Sequence, residues 1–123
     1  MNNLSYEYLI KSSLHLLHYL TECKQRFESF QKKPEKTDAY FYEQVKPTFE
    51  LVKDKADVWE QLASEWIKKK RPKYIHQSQI DSARENLEQV VLQSFYKDIN
   101  KQRFHNMHHS VEYLLNTIID QIE

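Results

Sequence analysis

Glycine is missing from this chain altogether, although a protein of 123 residues would on average contain about eight or nine. Glycine supplies the left-handed backbone conformations of tight turns, bulges and many helix C-caps. A chain without it is expected to form long helices joined by a few short links. The same absence excludes the glycine-built phosphate loops of P-loop and dinucleotide-binding proteins.

Cysteine, long apolar runs and net charge are also scarce. Cys23 is the single cysteine, so no disulfide can form within the chain. No run approaches the roughly 18 apolar residues of a membrane span, and the start MNNLSYEYLIK lacks the basic segment of a signal peptide. Lys and Arg number 18, as do Asp and Glu, so no overall field attracts nucleic acid or a membrane surface. We therefore expect a cytoplasmic protein without a membrane partner.

Apolar residues recur at steps of three and four in four segments, which indicates four amphipathic helices. The first is predicted over residues 3–32, with Ile10, Leu14 and Leu17 widening its apolar seam. The second has its seam from Tyr42 to Trp66 and ends before Pro72. The third is predicted over residues 78–97, and the fourth presents Phe104 to Ile122.

Short links between amphipathic helices make consecutive helices antiparallel. The sequence thus predicts an all-α fold, an up-down-up-down antiparallel four-helix bundle that forms a single domain over residues 1–123. Pro47 lies inside the second segment and is expected to kink that helix or to break it into two pieces. The apolar seam keeps its phase across Pro47, which favours the kink.

Polar residues near the links suggest where helices begin and end. Thr37 or Asp38 is a candidate N-cap for the second helix, and Ser78 with Asp81 resembles a capping box for the third. Without glycine, Asn100 is the expected left-handed residue of the last link.

Three histidines on the fourth helix form a candidate metal site. His105 and His109 are one helical turn apart, a spacing that lets two imidazoles reach one ion, and His108 lies between them. The alternative is structural, with His105 and His109 on a solvated face and His108 at the edge of the core. No Glu-x-x-His motif occurs, so a di-iron centre is not expected.

A basic run near the end of the second helix is a candidate anion or nucleic-acid site. It contains five cations followed by a tyrosine suited to stacking on a base: Lys68, Lys69, Lys70, Arg71, Lys73 and Tyr74. The alternative is that these cations complement the partial negative charge at a helix C-terminus. Lys32, Lys33 and Lys36 are expected at the opposite end of the bundle.

No combination of residues predicts catalysis. Cys23 lies on the seam of the first helix, where a small apolar filler is expected rather than a nucleophile. We therefore expect no enzymatic activity and no cofactor. Tyr6, Tyr40, Tyr96 and Tyr113 fall outside the seams, where aromatic rings either flank the core or anchor a partner.

Three stretches resemble a known family: RPKYIHQSQI at residues 71–80, LEQVVLQSFY at residues 87–96 and KQRF at residues 101–104. They are similar to the YppE-like family of small proteins from Gram-positive bacteria of the Bacillus type. The resemblance implies an all-helical bundle in the cytoplasm, and it implies no activity or site residues.

The sequence leaves three hypotheses for function. The first is a protein–protein interaction module with an unknown partner, and a homo-oligomer is compatible with its broad apolar seams. The second is anion or nucleic-acid binding through Lys68–Lys73. The third is a metal-binding bundle that uses His105, His108 and His109.

Overall fold

The computed structural model describes residues 4–123, with side chains from Tyr6 onward, and these residues form helices and links without a strand. The elements in chain order are α1 (Leu4–Ser29), α2 (Asp38–Tyr40), a π-helical turn (Phe41–Val45), α3 (Lys46–Lys70), α4 (Gln77–Tyr96) and α5 (Lys101–Ile122). The four predicted helices are confirmed, and the predicted start of the first at Asn3 lies outside the described residues.

Contacts at the two ends of the bundle fix the direction of each helix. At one end, Lys70 at the end of α3 has its Nζ 5.6 Å from the ring centre of Tyr6, near the start of α1. At the other end, Phe27 near the end of α1 stacks on Phe104 at the start of α5, with ring centres 3.9 Å apart. Helices α1, α3, α4 and α5 therefore run up, down, up and down, as predicted.

The predicted seams meet in one apolar core. Leu16, Ala56, Val90 and Val111 come from the four different helices, and each is fully buried. The buried residues of α4 recur along one face at the spacing of a helical seam: Ile80, Ala83, Leu87, Val90, Val91, Ser94 and Phe95. Leu14 is an exception on α1, because its side chain is 50% exposed and does not widen the seam as predicted. Ile75 joins the core from the link before α4, a position that periodicity does not reveal.

Helix α1 contacts α3 and α5 at its sides and also reaches α4 across the centre of the bundle. The approach is close because small residues meet there: Cys23 on α1 and Ser94 on α4 are both buried. Arg26 donates a hydrogen bond of 2.8 Å to Ser94 Oγ, and its guanidinium lies 4.0 Å from the centre of the Phe95 ring. The half-buried cation thus packs on α4 and has a hydrogen-bond acceptor there.

The second predicted helix passes through Pro47 without a break. Lys46 keeps helical angles (φ −58°, ψ −47°), although the residue before a proline usually avoids them. The π-helical turn Phe41–Val45 comes directly before, and the Lys46 N–H bonds to the carbonyl of Phe41, five residues back. Because proline clashes with a carbonyl four residues back, a wider turn at this point relieves the strain.

Across Pro47 the apolar seam keeps its phase, because Val45 is buried and Phe49 packs on the core. The π-helical turn lies before Pro47 and displaces the start of the seam, so the prediction that Tyr42 belongs to it is wrong. Tyr42 was expected in the core, but its side chain is 61% exposed. Tyr40 packs on the core instead and donates a hydrogen bond of 2.7 Å to the Phe95 carbonyl. Tyr40 and the buried Val45 are five residues apart, the repeat of a π turn.

The helix ends confirm one predicted cap and correct two. Thr37 Oγ1 accepts a hydrogen bond of 3.0 Å from the Tyr40 N–H, as expected of an N-cap. Helix α4 begins one residue before Ser78, with His76 as its N-cap residue. Asn100 is not left-handed (φ −73°); its side chain caps α5 by accepting from the Arg103 N–H.

Left-handed angles occur instead at long side chains. Arg71 (φ 45°) ends α3, Lys97 (φ 54°) ends α4, and Tyr74 (φ 68°) lies in the link between these helices. For a residue with a Cβ atom, adopting this left-handed conformation costs about 1–2 kcal/mol of conformational energy. The sequence could not indicate these positions, because no glycine marks them.

Replacing Arg71 with glycine is expected to raise the free energy of unfolding by about 0.5–1 kcal/mol. The change removes the strain of the Cβ atom, and part of that gain is offset by the greater freedom of glycine in the unfolded chain. Chemical denaturation followed by circular dichroism measures the shift. The matched control is Lys69→Gly, which removes the same charge inside α3 and should lower stability by about 0.5–1 kcal/mol. An equal loss of stability in both variants would contradict the left-handed conformation assigned to Arg71.

A charge cluster joins the outer surfaces of α3 and α4. The guanidinium of Arg84 lies 2.6 Å from Asp57, 3.1 Å from Glu60 and 2.9 Å from Glu88. Its hydrogen bond to Asp57 lowers the pKa of that carboxyl. The contacts of Arg84 with Asp57 and Glu60 therefore hold α4 to α3, while Glu88 pairs with Arg84 within α4.

Candidate groove between the last two helices

The three histidines of the candidate metal site point into different surroundings. His108 is buried, and its Nε2 lies 2.9 Å from the Leu20 carbonyl of α1. A carbonyl only accepts, so this nitrogen carries the proton and donates. His108 is thus a hydrogen-bonded core residue that links α5 to α1.

His105 is also less exposed than predicted. Its ring packs near Phe27 and Phe104, and its Nε2 lies 3.4 Å from Glu28 Oε2 without forming a hydrogen bond. The side chain of His109, in contrast, is 75% exposed. No three potential metal ligands come together within residues 4–123. The predicted metal site of His105, His108 and His109 is therefore not assembled, because His108 is bound to the Leu20 carbonyl, the His105 ring packs near two phenylalanines and His109 faces solvent.

Cys23 lies where the sequence places it, buried in the core. Burial raises the pKa of its thiol, which works against formation of the nucleophilic thiolate. The apolar surroundings thus fit the filler role expected from its position on the seam.

The basic run occupies the last turn of α3 and the link that follows. Lys68, Lys69 and Lys70 form the last turn of α3, and the left-handed Arg71 ends the helix. Lys73 is fixed through its carbonyl, which accepts a hydrogen bond of 2.9 Å from Gln121 Nε2 near the end of α5. Lys33 and Lys36 pair with Asp98 at the far end of the bundle, which confirms that the two basic groups lie apart.

Beyond Lys73 the link leads into a groove of about 730 Å³ between α4 and α5. Three buried apolar residues form its floor: Ile75, Ala83 and Leu114. Tyr74 and Tyr113 also line it, and these side chains are 82% and 67% exposed. The groove therefore combines an apolar floor with two aromatic rings at its rim.

The other lining residues are all polar, and most of them are small. They are Ser78, Gln79, Ser82, His109, Ser110 and Thr117. The Gln79 side-chain oxygen is already occupied by the His76 N–H at 2.6 Å, which leaves the amide hydrogens of Gln79 as donors. No Asp, Glu, Lys or Arg is among the lining residues of this groove. The groove thus offers uncharged hydrogen-bond donors and acceptors beside aromatic surface.

From the sequence, Tyr113 could be recognised only as a residue outside the core and Tyr74 only as a residue beside the basic run. Their shared groove could not be predicted, because the two residues are brought together only when the link before α4 folds against α5. The serines at positions 78 and 82 were the available signal: they are one turn apart on a face where α4 carries no large apolar side chain.

Known proteins match this chain over most of its length. A family model described as a bacterial domain of unknown function (DUF1798) matches residues 13–122. The uncharacterized protein YppE of Bacillus subtilis (strain 168) is 40% identical over 82 residues, which cover 67% of each chain.

Solved structures share the fold. The crystal structure of YppE from Bacillus subtilis superimposes with a TM-score of 0.86 and 31% identity, over 95% of this chain and 94% of that one. A protein of unknown function from Listeria innocua gives a TM-score of 0.88 over 98% and 95% of the two chains, and at 23% identity it supports the fold alone.

The helices described here include none that is apolar and long enough to span a bilayer. The family match covers the bundle almost from end to end and agrees with the resemblance of residues 71–104. The chain therefore belongs to the DUF1798 family of bacterial proteins of unknown function, and it is also similar in sequence and fold to YppE.

Proposed function

We propose that this protein is a non-enzymatic cytoplasmic module that binds a partner protein through the groove between α4 and α5. The observation that carries the proposal is the pair of exposed tyrosines, Tyr74 and Tyr113, beside a buried apolar floor. Tyrosine is one of the residue types that most often dominate binding energy at protein interfaces. Its ring contributes apolar contact area, and its hydroxyl stays able to hydrogen bond.

The size of the groove favours a segment of a partner over a broad flat surface. A volume of about 730 Å³ is within the range of roughly 300–1,000 Å³ typical of pockets that enclose a ligand. A few side chains of a partner fill such a space, and residues around the rim then exclude water from the contact. This supports binding of a protruding loop or terminal segment.

The test is capture of a partner by the tagged protein from the lysate of a bacterium that carries it, followed by identification and reconstitution with purified partner. The double variant Tyr74→Ala, Tyr113→Ala is expected to weaken the reconstituted complex by at least about 30-fold, since one such anchor contributes about 2 kcal/mol. Both side chains are mostly exposed, so the fold should survive.

Tyr8 provides the matched control. Its side chain is 64% exposed on α1, and it does not line the groove. Tyr8→Ala should bind the purified partner as the unchanged protein does. A partner that binds the double variant with full affinity would contradict the proposal, as would enrichment of nucleic acid in place of any protein.

A further inference from the structure

A run of basic residues lies near one end of the groove. Helix α4 begins beside the link that carries Tyr74, and the basic run Lys68–Lys73 immediately precedes that tyrosine. The hydrogen bond from Gln121 to the Lys73 carbonyl holds the link against the end of α5. The cations are therefore concentrated at the end of the groove formed by the start of α4 and the end of α5.

These cations differ from the basic residues that form ion pairs along the outer surfaces of α3 and α4. Lys46, Lys53 and Arg84 each have a carboxylate within 4.0 Å. Among the described residues, Lys68, Lys69, Arg71 and Lys73 have no such carboxylate, and all of them are exposed. Their positive charge is thus available to an acidic partner.

The lining of the groove favours an extended chain over a docked helix. A helix keeps its carbonyls bonded internally, and it needs a continuous apolar strip to receive its apolar face. Here the hydroxyls of Ser78, Ser82 and Ser110 have no partner among residues 4–123. An extended segment, above all one in the polyproline II conformation, presents unbonded carbonyls that such hydroxyls can satisfy.

We propose that the groove takes an extended peptide segment of a partner protein, with uncharged residues between Tyr74 and Tyr113. Acidic residues of the segment contact the exposed cations Lys68, Lys69, Arg71 and Lys73. Proline rings suit the uncharged part, because they pack on tyrosine faces and hold the chain extended at little entropic cost. This inference rests on the proposed function and names the chemical class of the segment that is bound.

Selection from an unbiased library of displayed peptides tests this class directly. The bait is the full-length protein. Peptides that also bind the Tyr74→Ala, Tyr113→Ala variant are discarded, because they bind outside the groove. We expect the surviving sequences to place Asp or Glu on one side of a stretch rich in proline and uncharged residues. Amphipathic sequences with helical spacing, basic sequences, or no enrichment at all would each overturn the proposal.

A pair of charge-reversing substitutions tests the contribution of the basic residues. Lys69→Glu with Lys73→Glu should weaken a selected peptide about tenfold at low salt, and the difference should shrink as salt is added. Lys11→Glu with Lys24→Glu on α1 makes the same change of net charge away from the groove and should leave affinity unchanged. Equal effects of the two pairs, or tighter binding of a single-stranded oligonucleotide than of any peptide, would overturn the acidic-segment assignment.

The two proposals fail in different ways. If the purified partner needs both tyrosines but its binding segment is basic or helical, the groove function stands and the peptide class is wrong. If the partner binds the double tyrosine variant normally, the groove function itself is wrong.

Discussion

Replacing Trp59 with alanine is expected to lower the free energy of unfolding by about 3–5 kcal/mol, the range seen for buried aromatic residues. Trp59 is 1% exposed at the centre of the core, and its indole N–H donates a hydrogen bond of 3.1 Å to Ser13 Oγ. The substitution leaves a large cavity between α3 and α1 and removes the donor from a buried serine. For a domain with a total stability of about 5–15 kcal/mol, the loss is severe.

Urea denaturation followed by circular dichroism measures this loss as a lower urea concentration at the midpoint of unfolding. The slope of the free energy of unfolding against urea concentration should stay the same. The neighbouring Val58 is 53% exposed, so Val58→Ala should change stability by no more than about 0.5 kcal/mol. Trp59→Phe keeps most of the ring and isolates the hydrogen bond, with an expected cost between those of the other two variants. Similar midpoints for Trp59→Ala and Val58→Ala would show that α3 does not present Trp59 to the core.

The second large effect is expected at His108, where alanine should cost about 2–3 kcal/mol. The change opens a cavity beside Phe104 and removes the hydrogen bond from Nε2 to the Leu20 carbonyl. The adjacent His109 is the control, since its side chain is 75% exposed and His109→Ala should have little effect on stability.

The same pair of variants separates a core histidine from a metal ligand. If His105, His108 and His109 held an ion, zinc would raise the midpoint of unfolding of the unchanged protein, and His109→Ala would abolish that rise. We expect no zinc-dependent shift in any of these proteins. A shift that disappears in the His109→Ala variant would contradict the structural role given to His108.

The bundle itself was predictable because its physics is local. Burial of an apolar face imposes steps of three and four, so Leu16, Val90 and Val111 could be assigned to the core from sequence alone. Short links then leave antiparallel neighbours as the simplest arrangement. The structure confirms both inferences.

The errors occur where the backbone departs from the regular α-helix. Tyr42 was placed in the core because a constant period was assumed, and a single π turn exchanges it with Tyr40. The left-handed residues were missed for a related reason, because Lys97 and Arg71 adopt angles that their residue types disfavour. In both cases packing of the whole bundle overrides a local preference.

The candidate groove could not be predicted because it depends on residues that periodicity ignores. Tyr74 is in a link and Tyr113 is on an outer surface, and neither position follows from an apolar seam. His108 shows the opposite error: a polar residue type drew attention as a ligand, while the fold uses it to bind a backbone carbonyl. Surface geometry of this kind requires the folded structure.

The central position of α1 has a consequence for how the chain folds during synthesis. Because α1 contacts α3, α4 and α5, it cannot complete its packing until α5, which follows it in the chain, has also been synthesised. Part of its apolar face stays exposed over that interval, in which nascent chains are open to aggregation and to chaperones. Synonymous codon changes that slow elongation before α5 should therefore reduce the soluble yield more than equal delays within α5.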